Sequence, residues 1–207
     1  YRKQVENISA YDYLGDVQVW DIADGAGETI FAATDNGLSV FDGVRWSLYV
    51  PPHNPSVRSI AYDGEEATLW AGTGNQLGMF RKDDYGNWAY HTLYTIAEGQ
   101  EPVTVRRVVD DGVNVWFQTA SMLYLHRKKS GSTEMMLSSP ELGLVCHASG
   151  KTYIQDGRPL VRISDTEGPM LTPVTVPGSV IDLISRPEGL IIITGEKGLF
   201  VLGDIGR

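Results

Sequence analysis

The chain of 207 residues has one cysteine, Cys146, so no intrachain disulfide can form and packing alone must hold the fold. Basic side chains are also scarce: 17 Lys and Arg stand against 26 Asp and Glu, a formal charge of −9. Nucleic-acid surfaces need clustered cations to displace counterions from phosphate, so a nucleic-acid partner is excluded. The one basic cluster, His126-Arg127-Lys128-Lys129, reads as a solvated hairpin turn. No run approaches the ~18–20 apolar residues of a membrane span, which leaves this segment without a membrane contact of its own. No window is dominated by Ala, Leu and Lys, so long helices are not expected.

Linear catalytic motifs are missing as well. There is no G-x-S-x-G elbow, no P-loop, no H-E-x-x-H and no dinucleotide fingerprint. His53, His91, His126 and His147 are isolated from one another, which argues against a zinc site. Cys146 and His147 are neighbours on a strand-like run and point to opposite faces, so they do not form a catalytic pair. The expectation is no catalytic residue, no metal and no cofactor.

What the sequence has is a repeat. Five short apolar strands end in a small polar residue: Thr29–Thr34, Thr68–Thr73, Asn114–Thr119, Lys151–Asp156 and Leu190–Thr194. Their last residues lie 39, 46, 37 and 38 positions apart. A repeat of ~40–45 residues with four short strands is the signature of a β-propeller blade. Each repeat opens with an apolar–x–x–apolar step: Val19–Ile22, Val57–Ile60, Val105–Val108, Leu142–Val145 and Val180–Leu183. An Asp/Gly-rich turn follows, then the small/aromatic strand, then two more strands. In that strand Ala32-Ala33 and Ala71-Gly72 allow close approach of neighbouring sheets, while Phe31, Trp70, Trp116 and Tyr153 fill the wedge between them.

The spacing predicts an all-β propeller of about five blades, at roughly 10–50, 51–95, 102–138, 140–177 and 178–207. The last repeat lacks a fourth strand, and Gln4–Ser9 is a candidate to supply it. A closed five-bladed ring and part of a larger propeller are both compatible with the spacing. The long second interval places a surface loop at Tyr94–Thr104.

Two stretches, Asn7–Tyr49 and Asn54–Leu93, resemble the propeller blades of bacterial two-component regulator sensors. These are the hybrid histidine kinases and the triple-tyrosine-motif regulators with a helix-turn-helix output. The pattern V-x-x-I…D…G-x-(L/I)-W-x-G-T-x-x-G-L is matched well at Val57–Thr73 and loosely at Val19–Leu38, where Phe31 and Ala33 replace Trp and Gly. Later repeats keep the spacing but not the letters, and Asp156 stands where Thr is usual. The resemblance implies a non-catalytic, periplasmic ligand-sensing module, with an oligosaccharide as ligand and a homodimer formed through the full-length parent. A protein-interaction platform and a glycan lyase or hydrolase are the alternative readings.

Candidate ligand-binding residues fall on the first strands and on the loops after the second strands. Trp20 and Asp21, Arg58, Arg106 and Asp182 lie between the apolar anchors, where alternation sends one of each pair towards a channel. Arg58 and Arg106 share a register and could grip a carboxylate or sulfate. Alternatively they pair with Asp21 and Asp182 as structural ion pairs. Asn36, Asn75, Gln76 and Arg158 offer polar groups suited to sugar hydroxyls. Trp20 is the candidate for stacking on a sugar ring, whereas Trp46 and Trp88 read as outer-strand packing.

Overall fold

The structure is a computed structural model, and it describes residues 8–97, 103–157, 159–165, 168–186 and 189–202. It is all-β apart from one short helix, α1 (Ala10–Tyr13). Ser9 starts the helix by donating from its N and its Oγ to Asp12 Oδ2 (2.8 and 2.7 Å), and Leu14, at φ 59°, ends it. The strands form four four-stranded antiparallel sheets and one three-stranded sheet, each running in sequence order. This is the expected β-propeller architecture of about five blades. The chain divides into two compact units, Tyr1–Val105 and Arg106–Arg207.

The first unit holds two blades. Blade 1 is β1 (Val19–Asp24), β2 (Ile30–Thr34), β3 (Gly37–Phe41) and β4 (Trp46–Tyr49). Blade 2 is β5 (Val57–Asp63), β6 (Thr68–Thr73), β7 (Gln76–Lys82) and β8 (Trp88–Thr95). One face of blade 1 packs on the opposing face of blade 2 in a single core. Phe31, Ala33, Leu38 and Val40 meet Val57, Ile60, Leu69, Ala71, Phe80 and Trp88. Phe31 is its centre, edge-on to Trp88 at 5.2 Å between centroids and tilted against Tyr62 at 5.3 Å. A buried aromatic of this size contributes ~1.5–3 kcal/mol by burial alone. Gly72 is needed for close approach, because a Cβ there would overlap the Val105 side chain.

The second unit holds the other three blades. Blade 3 is β9 (Arg107–Asp110), β10 (Asn114–Gln118), β11 (Met122–Arg127) and β12 (Ser132–Ser138). Blade 4 is β13 (Leu142–Ala148), β14 (Lys151–Asp156), β15 (Leu160–Asp165) and β16 (Thr172–Thr175). Blade 5 is β17 (Val180–Arg186), β18 (Gly189–Thr194) and β19 (Gly198–Leu202). Trp116, Leu123 and Leu125 pack on Leu142, Val145 and Ile154 between blades 3 and 4. Tyr153 and Val161 pack on Val180, Leu183, Leu190 and Ile192 between blades 4 and 5. The wedge-filling role expected of Phe31, Trp116 and Tyr153 agrees with their places in these cores, and Trp70 is buried as well, at 2% exposure.

The Asp/Gly turns are fixed by their aspartates. Asp63 Oδ1 accepts from the backbone N of Glu65 and Glu66 (2.9 and 3.1 Å). Asp111 Oδ1 accepts from Val113 N and Asn114 N (3.0 and 2.7 Å), and its Oδ2 from the Trp116 indole N–H (2.9 Å). A side-chain acceptor two or three residues upstream closes such a turn before any strand pairs.

Four sequence expectations need correction. Ile22 is not a buried anchor: it is 64% exposed, because on its face of blade 1 the described residues of the unit supply only α1, whose Tyr13 meets Trp46 at the outer edge. The first strand of the third blade starts at Arg107, after Val105 and Arg106. The loop begins later than Tyr94, since β8 continues to Thr95 and Ile96 is buried through backbone bonding to Asn75 O (2.8 Å). The basic cluster is not simply solvated. Lys128 Nζ bonds Asp110 at 2.8 Å with its side chain only 8% exposed, His126 is buried at the end of β11 against Thr133, and Arg127 pairs with Glu134. Most of the Gln4–Ser9 segment lies outside the described residues.

Candidate functional site

A β-bulge recurs near the start of the first strands, and it creates the candidate site. Register slips between Val19 and Asp21 in β1, between Val57 and Ser59 in β5, and between Val180 and Asp182 in β17. In blade 4 the slip spans Leu142 to Val145. In blade 3 Arg106 N donates to Gln118 O (2.7 Å), the residue that also pairs with Arg107. The extra residues are therefore Trp20, Arg58, Arg106 and Ile181, with Gly143-Leu144 in blade 4. A bulge frees one side chain from the sheet's alternation and re-aims it.

In the first unit two bulge residues meet. The Arg58 guanidinium lies over the Trp20 ring, with Cζ 3.8 Å from the centroid. Arg58 Nε donates to Ser56 Oγ (2.9 Å) and its Nη2 lies 3.2 Å from Asp35 Oδ1. Trp20 Nε1 and Ser56 Oγ donate to that same Asp35 oxygen, at 3.0 and 2.9 Å. One carboxylate oxygen in the turn after β2 thus ties an indole, a hydroxyl and a guanidinium into one cluster. Burial pushes the Asp35 carboxyl up, but the bonds from Trp20 and Ser56 and the Arg58 charge outweigh it and hold it below its ordinary value. Trp20 remains 43% exposed, and the Arg58 and Asp35 side chains 31% and 36%.

The cluster is suited to contact a flat polar molecule. An exposed cation–π pair is worth ~0.5–1 kcal/mol and holds both planes in place before a ligand arrives. Arg58 Nη1 meets no acceptor among the described residues and is left to donate outwards.

Of the residues named from sequence, Trp20 and Arg58 come together and the others do not join them. Asp21 is adjacent in sequence but serves the interface between blades. Its Oδ2 accepts Ser59 Oγ (2.8 Å) and Ile60 N (3.0 Å) from blade 2, and its Oδ1 accepts Ile22 N (3.0 Å). The structural ion pair expected between Arg58 and Asp21 is therefore replaced by Arg58–Asp35. Asn36 Oδ1 accepts from Thr34 Oγ1 (2.9 Å), and Asn75 Nδ2 donates to Ile96 O (3.1 Å); both close local turns. Gln76 Oε1 accepts from Thr92 Oγ1 across the β7–β8 pair (3.4 Å).

Arg106 belongs to the second unit and forms no ion pair with Asp182 among the described residues. Asp182 Oδ1 accepts from Leu183 N (2.8 Å). Arg158 lies outside the described residues. Ser56 was missed as a site member, and Asp35, beside Asn36 in the polar loop after the second strand, was not set apart from the other loop groups. Asp35 sits in the turn after β2, where an acid reads as an ordinary turn former, and the side chains it joins are 15 and 21 positions away.

Cys146 and His147 diverge as alternation requires. Cys146 faces Tyr153 and the core between blades 4 and 5, and burial pushes its thiol up to about 11. His147 Nδ1 lies 3.3 Å from Thr152 Oγ1, and burial holds its ring below the ordinary value against the pull of Asp111 and Asp110.

Bulged, sequentially ordered, four-stranded sheets packed face to face place the chain among β-propellers. Similar solved structures agree. The extracellular domain of B. thetaiotaomicron BT4673 is similar in two structures, with TM-scores of 0.68 and 0.65 and 14% identity in each. They are described as a one-component and a hybrid two-component system, and the alignments cover 89% and 92% of this chain but only 27% and 26% of theirs. The WD40 β-propeller domain of Doa1 is similar at a TM-score of 0.56 and 13% identity, over 89% of this chain and 64% of that one. This chain thus spans about a quarter of the length of the BT4673 domains. No family model matches the sequence, and no curated protein does. No helix among the described residues is long and apolar enough to cross a membrane.

Proposed function

We propose that this chain is a non-catalytic, ligand-sensing propeller segment of an extracytoplasmic bacterial signalling protein, with the Trp20–Asp35–Ser56–Arg58 cluster as its ligand contact. The carrying observation is that cluster: an aromatic and a cation, each raised out of its strand by a bulge, pre-stacked at 3.8 Å and left partly exposed. The periplasmic sensor role is supported by the resemblance of Val57–Thr73 to sensor blades and by the likeness to the BT4673 extracellular domain. An oligosaccharide suits the chemistry. Its ring faces stack on indole, its hydroxyls take bonds from Arg58 Nη1 and give them to Asp35, and an acidic sugar would add a charged bond.

Calorimetry of the chain against a panel of neutral and acidic oligosaccharides tests this. Binding of at least one class is expected, weakened about tenfold or more by Trp20→Ala and by Arg58→Ala, since each removes ~1.4 kcal/mol or more of contact. Absence of binding across the panel, or affinity unchanged in both variants, overturns the assignment. A second reading, a protein-interaction platform, is favoured by a different surface on blade 5.

A further inference from the structure

We infer that the outer face of blade 5 is a docking surface for the first strand of a further propeller-type blade, with Asp182 as its hydrogen-bonding anchor. The inference is independent of the ligand reading. It rests on the way neighbouring blades are joined inside each unit.

Every junction within a unit has one polar link in the same layer, beside the bulge. Asp21 of blade 1 accepts from Ser59 Oγ and Ile60 N of blade 2 (2.8 and 3.0 Å). Gln118 of blade 3 donates to Gly143 O of blade 4. Gln155 of blade 4 donates to Val180 O of blade 5 (3.0 Å). Around Asp21 lies an apolar sheet face in two rows, Asp21–Ala33–Leu38 and Ala23–Phe31–Val40. That face is buried under blade 2.

Blade 5 repeats this face position for position. The bulge before Asp182 matches the bulge before Asp21. Asp182 Oδ1 accepts from Leu183 N as Asp21 Oδ1 accepts from Ile22 N. The rows are Asp182–Ile193–Leu199 and Ile184–Ile191–Val201. The opposite face, with Leu183, Leu190 and Ile192, is already packed on blade 4. Yet Leu199, Val201 and Ile184 are 68, 64 and 43% exposed, and Asp182 Oδ2 meets no partner among the described residues. A β-branched apolar sheet face with an unused acceptor at the register of a working link is built to be covered.

The template specifies the occupant. Its first strand offers a Ser or Thr hydroxyl followed by a free backbone N–H to Asp182 Oδ2, as Ser59-Ile60 do for Asp21, and its next residues are apolar. β1 of a second copy fits poorly: it would set Asp21 against Asp182, and its Ile22 N–H is already used.

The test has two arms. In the chain itself, Leu199→Lys with Val201→Lys should leave the melting temperature unchanged and remove most of its fluorescence enhancement of a hydrophobic dye; Asp182→Ala should be silent. In the chain extended through a linker by a second copy of residues 51–97, amides of β17–β19 should gain exchange protection. There Asp182→Ala should lower the melting temperature by about as much as Asp21→Ala does in blade 1. Destabilisation of the unextended chain by the double Lys variant would show the face already covered and overturn the inference. So would a concentration-dependent dimer abolished by that variant, which would make a second copy the occupant. An extended chain in which Asp182→Ala stays silent would refute the anchor.

Discussion

Replacing Asp21 by alanine removes the polar link between the first strands of blades 1 and 2, leaving the Asp35 link in place, and the cost follows from what is left behind. Ile60 is 5% exposed, so its N–H loses its acceptor in a place water reaches poorly, and the buried Ser59 hydroxyl loses a 2.8 Å bond to a carboxylate. Hydrogen bonds to a charged group contribute ~1.5–3 kcal/mol each, and an orphaned buried donor costs ~1–3 kcal/mol. Asp21 itself is half-buried, which places the two-bond total near the low end, about 3 kcal/mol. With ~2.1 cal/mol/K of unfolding entropy per residue, that lowers the melting temperature by ~14 °C if a unit of ~100 residues melts alone and by ~7 °C if the whole chain melts together. The size of the shift therefore also reports whether the two units melt separately. Asp21→Asn keeps one acceptor oxygen and should cost about half as much. Calorimetry of both variants, with hydrogen exchange at Ile60, is the assay. A loss under ~2 °C for alanine, or a larger loss for asparagine than for alanine, refutes the reasoning.

Three further outcomes are expected. The Asp35 carboxyl is held below its ordinary 3.8, so its bond to Trp20 persists at neutral pH and is lost only as pH falls through that lowered value; the Trp20 indole N–H resonance should titrate below pH 3.8, and a midpoint at or above it counts against the cluster. Cys146, with its thiol at about 11, should resist Ellman's reagent at pH 8 until the protein unfolds, and prompt stoichiometric labelling would contradict its burial. Gly72→Ala would overlap Val105 and should lower stability by ~1–3 kcal/mol in urea unfolding, whereas a neutral result would mean that the backbone there has room to give.

The period of the blades was legible because the fold imposes it: each sheet needs its turns, its small residues and its wedge aromatic at a fixed place. Phe31, Trp70, Trp116 and Tyr153 could be assigned to packing on that ground, and they are buried. The bulge was not legible, since an extra residue in a strand changes register without changing composition. Trp20 and Arg58 stood out by residue type alone, and only the bulge explains why they reach each other. Their shared partner, Asp35, could not be told from the turn-forming acids at Asp63 and Asp111. Ile22 looked like the anchor that Ile60 is, but burial depends on which face the neighbouring blade covers, a property of the assembly and not of the strand.

The recurring bulge has a consequence for how such a protein can diversify. Outside blade 4, where a Cβ at Gly143 would overlap the Gln155 side chain, it sets one side chain per blade outside the packing constraints that govern its neighbours, which is why Trp, Arg, Arg and Ile occupy it at positions 20, 58, 106 and 181 of a single chain. Those positions can be rewritten without repacking a core, so recognition and folding draw on separate letters of the same repeat.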